Sequence, residues 1–167
     1  MGEDMVENRT DNKKLLINTL KRLNINIDDL KKVDNTEYRI VVQKLIYFAK
    51  KIGLGFTYSY NIYLHGPYST DLAKDYYSIT NEDVNNCENI LLDDAKIKKL
   101  EWLKDKPPIF LEIAATLDSI IEYNNGISYE DAINHVFSIK EEVLAQHNKD
   151  IEYIKNVLAE IRSNNLL

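Results

Sequence analysis

The stretch "YSYNIYLHGPYSTDL", residues 58–72, decides how this chain is built. With Phe56 it alternates: Phe56, Tyr58, Tyr60, Ile62 and Leu64 share one face, and Thr57, Ser59, Asn61, Tyr63 and His65 share the other. Period-two alternation of β-favouring residues predicts a strand over 56–65. Gly66-Pro67 is expected to stop that strand, because glycine reaches backbone angles other residues avoid and proline fixes φ. Ser69 or Thr70 then caps a helix, "STDLAKDYYSI", with Asp71 in its positive first turn. A lone strand leaves a row of unpaired amides and needs a partner. "CENILLDD", residues 87–94, is the candidate second strand, giving a small hairpin-like wing.

Upstream lies the helix "TEYRIVVQKLIYFAKKIG", capped by Asn35 or Thr36 and ended by Gly53 and Gly55. Ile40, Val41, Leu45, Phe48 and Ile52 form a wide apolar face, which Val42, Ile46 and Ala49 extend, so the helix is expected to be central. Arg39, Gln43, Ile46 and Lys50 make a mostly polar stripe. Before it, Leu15, Leu16, Thr19, Leu20 and Leu23 recur with helical spacing from Lys13, and "NINIDDLKKVDN" breaks the pattern. Residues 1–12 lack periodicity and read as a disordered tail.

Downstream the chain reads as helices throughout. "DDAKIKKLEWLKDK" stops at Pro107-Pro108, which also starts the strongly apolar "PIFLEIAATLDSIIEYNNG". "SYEDAINHVFSIKEEVLAQHN" opens on a capping-box arrangement of Ser128 and Asp131, and "KDIEYIKNVLAEIRSN" follows. The expected class is mainly α, a compact multi-helix domain over 13–167 with a small β element of winged-helix-like character. A single cysteine, Cys87, excludes an internal disulfide framework and fits a reducing, cytoplasmic setting. No apolar run reaches the roughly 18 residues of a membrane span, so no membrane partner is expected.

The net charge of −6 is unevenly spread. Residues 12–51 hold ten Lys or Arg against four Asp or Glu, while residues 52–167 hold ten against nineteen. The basic segment could contact phosphate or an acidic partner; the acidic remainder disfavours a general nucleic-acid binder.

Catalytic chemistry has little support. His135 and His147 stand twelve apart on one helix, about 18 Å by helix rise, and no HExxH or CxxC occurs. No phosphate-cradling glycine pattern or nucleophile elbow is present. His65, at a strand end beside Gly66, is the sharpest catalytic candidate, yet no base or acid partner is visible in sequence. It reads better as a residue bonded to backbone in the turn. Neither a catalytic residue, a metal nor a cofactor is expected.

The blocks "YRIVVQKLIYFAKKIG" and "YNIYLHGPYSTDLAKDYYSI" resemble the YwgA-like family of bacterial and archaeal proteins. They are also similar to the related SocA-like, or Panacea, antitoxin domain. The resemblance is carried by Arg39, Gln43, Lys44, Leu45, Tyr47, Phe48, Tyr63, Gly66, Pro67, Tyr68, Ser69, Asp71 and Leu72. It covers residues 36–80 well and 108–143 loosely. It implies a mostly helical domain with a small β element and, in the antitoxin group, binding to a toxin protein in place of catalysis. The expectation is thus a non-enzymatic protein-binding module, antitoxin-like or a regulatory adaptor. Its partner-binding candidates are Arg39, Gln43, Lys50, Tyr63, His65 and Tyr68, and Gly66, Pro67, Ser69 and Asp71 form its structural motif. The alternative is a DNA-binding regulator using the basic segment 12–51.

Overall fold

The computed structural model describes the backbone of residues 2–63 and 66–167, and the side chains of residues 12–62 and 66–167. Helices α1 (Gly2–Arg22), α2 (Ile27–Lys31) and α3 (Thr36–Lys51) lead into the strands β1 (Asn61–Tyr63) and β2 (Gly66–Tyr68). Then follow α4 (Thr70–Ser78), α5 (Asn81–Asn86), α6 (Asp94–Lys104), α7 (Pro108–Tyr123), α8 (Tyr129–Gln146) and α9 (Ile151–Ser163). The mainly α class with a small β element is therefore what the chain forms.

The core is organised around α7, which packs against α3, α8, α9 and β2. Pro107 precedes it and Pro108 occupies its first turn, where a missing N–H costs nothing. Every residue from Ile109 to Ile120 is buried, so this helix is surrounded on all sides. The central position expected of α3 is also found: Val42, Leu45, Ile46, Phe48 and Ala49 are fully buried. Each large side chain among them contributes about 1.5–3 kcal/mol through its removal from water.

Several local expectations need correction. Among the described residues of the predicted strand 56–65, regular pairing covers only Asn61–Tyr63. Phe56 and Tyr58 are buried while Thr57 and Ser59 are exposed, but Ile62 breaks the alternation at 48% exposure. The strand's partner is not 87–94. Residues 66–68 themselves return as β2, so Gly66-Pro67 begins a strand where a stop was expected.

The segment 87–93 carries no regular structure. The Asn18 side chain of α1 holds it, accepting from the Ile90 N–H (2.9 Å) and donating to the Glu88 carbonyl (3.0 Å). These two bonds supply what a neighbouring strand would have supplied.

The segment read as a break, 24–35, contains α2, capped by Asn26 Oδ1 accepting from the Asp28 N–H. Helix α1 begins at Gly2, ahead of the expected Lys13. Once Lys13–Arg22 is docked, extending the helix back to Gly2 adds a hydrogen bond for each further residue fixed. Asn12, inside the stretch read as a tail, is buried and exchanges bonds with Thr57 (2.9 and 3.1 Å). At α8, Ser128 Oγ accepts from the Asp131 N–H (3.1 Å), as the cap requires.

Candidate functional site

The β1–β2 register explains the corner at residues 58–72. Asn61 lies opposite Tyr68, Ile62 opposite Pro67, and Tyr63 opposite Gly66. The nitrogen of Pro67 carries no hydrogen, so the ladder bonds fall to the flanking pairs, 61/68 and 63/66. In an antiparallel pair the residues between bonded pairs direct their N–H and C=O outward. Pro67 and Ser69 therefore point away from β1, and Ile62 points away from β2.

On the β2 side, the outward groups all meet side chains of α3. Lys44 Nζ donates to the Pro67 carbonyl (2.8 Å). The Ser69 N–H donates to Gln43 Oε1, and Gln43 Nε2 donates back to the Ser69 carbonyl, both at 2.9 Å. Two consecutive helical residues thus do the work of a third strand. Both are buried: Gln43 is 0% exposed and Lys44 1%. Ser69 Oγ then accepts from the Leu72 N–H (3.2 Å), capping α4 as the sequence indicates, with Asp71 in the first turn.

Beneath β2 the floor is α7. Gly66 has φ +90, and a Cβ there would stand 2.7 Å from Thr116 Oγ1. Glycine is required at this position twice over, by backbone angle and by the close approach of α7. Glu112 and Lys140 form a buried ion pair at 3.0 Å between α7 and α8. Burial pushes the Lys44 ammonium down to about 7, with Glu112 opposing that shift and Lys140 adding to it.

Two buried tyrosines, Tyr58 and Tyr76, and two half-buried ones, Tyr47 and Tyr60, surround the corner. Tyr58 donates to Asp75 (2.6 Å). Burial raises the ionisation of Tyr47, Tyr58, Tyr60 and Tyr76 well above the usual phenol range. Asp118, fully buried on α7, receives bonds from Tyr47 and Lys51.

The chain matches no protein-family model, no curated protein and no solved structure.

The structure divides the partner-binding candidates. Gln43 has no exposed surface with which to touch a partner; its bonds to Ser69 are internal. Arg39 donates to the carbonyls of Leu30 (2.9 Å) and Lys32 (2.5 Å) and so ties α3 to the end of α2. The polar stripe is thus largely scaffold. Lys50 is exposed, with Nζ on the Tyr58 carbonyl (2.5 Å). Tyr68 is half-buried on β2. Tyr63 contributes its backbone to β1, while its side chain, and the whole of His65, lie outside the described residues.

Lys44 was missed as a site residue, although a signal was present. Gln43-Lys44 is a polar pair between Val42 and Leu45 on a helix apolar almost all round, a pattern that demands buried hydrogen-bond partners. Among the described residues no group of three or more His, Cys, Asp or Glu is placed to hold a metal. No described helix is long and apolar enough to cross a membrane.

Proposed function

We propose that this chain is a non-enzymatic protein-binding module that receives an extended segment of a partner along the free edge of β1. The carrying observation is the asymmetry of the two sheet edges. Side chains of α3 occupy the β2 edge, whereas Ile62 on the β1 edge has no bonding partner among the described residues and is 48% exposed. An open edge of this kind is a template for strand addition, in which main-chain bonds give affinity and neighbouring side chains give specificity. The partner in this reading is a protein, in keeping with the antitoxin resemblance, and a toxin is the partner class that resemblance implies.

The DNA-binding alternative is weakened by where the basic residues of 12–51 go. Nine of the ten meet internal acceptors: Lys14 bonds Glu88, Arg22 Asp94, Lys32 Asp29 and Lys51 Asp118. Lys21, Lys31, Arg39, Lys44 and Lys50 donate to backbone carbonyls. Cations engaged in this way release few counterions on meeting phosphate.

A photo-crosslinking residue at position 62, expressed in native cells, tests the reading. It should trap one protein in stoichiometric yield, and Ile62→Pro should abolish co-purification of that protein while the fold persists. Failure to trap any protein, or unchanged co-purification with Ile62→Pro, overturns it; recovery of DNA would favour the regulator.

A further inference from the structure

A cleft of about 640 Å³ opens where the C-terminal turns of α3 and α7 meet the start of α8. Its walls are tyrosines: Tyr47 and Tyr60 stand edge-to-face at 5.2 Å, and Tyr123 and Tyr129 are exposed at 65% and 42%. Most polar groups here are already matched. Lys51 bonds the buried Asp118 and lies 3.8 Å from Glu122. The ring of Tyr129 carries Arg162 at 4.6 Å.

Two groups are not matched. Lys50 has one bond, to the Tyr58 carbonyl, and stands 5.9 Å over the Tyr60 ring, with no carboxylate partner among the described residues. The Tyr60 hydroxyl is buried and has no hydrogen-bond partner there. Lys50 thus keeps N–H donors to spare beside its one bond, and the Tyr60 hydroxyl has made none. A ligand cation would find the acids paired and two aromatic faces already carrying cations of the protein. An anion would find Lys50.

The geometry points to this cleft as a binding site for a carboxylate carried on an apolar or aromatic body, with Lys50 as the anion contact and Tyr123 and Tyr129 as walls. The ammonium has donors left after serving Tyr58, and charge-assisted bonds to a carboxylate are among the strong ones. The flat, two-torsion tyrosine side chains supply contact area at low entropic cost. Acceptor and apolar body are thus both recognised, which neither a bare anion nor a hydrocarbon would exploit.

Three probes of one shape separate the terms: 3-phenylpropanoate, 3-phenylpropan-1-ol and 3-phenylpropylammonium, titrated against the full chain with amide chemical shifts as readout. The acid should saturate shifts at the cleft residues and bind about tenfold tighter than the alcohol, the worth of one charge-assisted hydrogen bond. Lys50→Gln should erase that preference, and Tyr123→Ala, at an exposed wall, should weaken acid and alcohol alike. Ile62→Pro, which disables strand docking, should leave the titration unchanged, so this site and the β1 edge stand or fall separately. Equal affinity for all three probes, preference for the ammonium, or no saturable shift in the cleft overturns the assignment.

Discussion

Gln43 closes two hydrogen bonds of 2.9 Å onto the backbone of Ser69, one in each direction, from a position with no exposed surface. A carboxamide presents a donor and an acceptor side by side, as a neighbouring strand residue would. Gln43 therefore ends the sheet from within, and the small hairpin is left with one open edge.

Removing that carboxamide leaves a buried N–H and a buried C=O without partners. Gln43→Leu should lower stability by about 3 kcal/mol, since each orphaned group costs about 1–3 kcal/mol. Urea titration checks this: the midpoint should fall while the slope stays constant. Gln43→Glu keeps the acceptor for the Ser69 N–H but loses the donor to its carbonyl and buries a carboxylate, so it should also destabilise.

Gly66 tests the approach of β2 to α7. Gly66→Ala meets both a φ of +90 and Thr116 Oγ1 at 2.7 Å. A loss of about 2–3 kcal/mol is expected, combining the backbone strain with the clash. Adding Thr116→Ala removes the clashing hydroxyl, and thermal melts of the double variant should recover part of the loss, leaving about 1 kcal/mol of backbone strain.

Lys44 gives a pH signature. Its folded-state value, lowered by burial to about 7, lies below the ordinary lysine value of 10.5, so the unfolded chain binds more protons between those two limits. Stability attributable to Lys44 therefore rises with pH from about 7 upward, by at most about 1.4 kcal/mol per pH unit. Below pH 7 the full cost of the buried ammonium is present. Near pH 10 the buried tyrosines act in the opposite direction, because their phenols ionise in the unfolded chain first. Denaturation of Lys44→Met beside the parent isolates the effect: the difference between the two should change with pH from 7 to 9 and be flat from 5 to 6.

Much of this architecture was legible because it rests on periodicity. The apolar face of α3, the strongly apolar run of α7, the Ser69 cap and the Pro107-Pro108 boundary follow from residue pattern alone. The pairing of the extended segments did not, and for one reason. Three of them are held by helix-borne carboxamides: Thr57 by Asn12, the 88–90 backbone by Asn18, and Ser69 by Gln43. A side-chain amide that replaces a strand leaves no period-two pattern, so residues 87–94 look like a strand in sequence although their partner is Asn18. The same substitution hides the site: Gln43 reads as part of a polar stripe, and Lys44 belongs to neither the stripe nor the apolar face.

The free edge of β1 is tested most directly by hydrogen exchange at the Ile62 amide, followed by NMR in the free chain and in complex with the protein trapped at position 62. The Ser69 amide, bonded to Gln43, serves as the protected reference in both samples. Ile62 should exchange fast in the free chain and be strongly slowed in the complex. Slow exchange of Ile62 in the free chain, or an equal rate in the two samples, would contradict a free β1 edge.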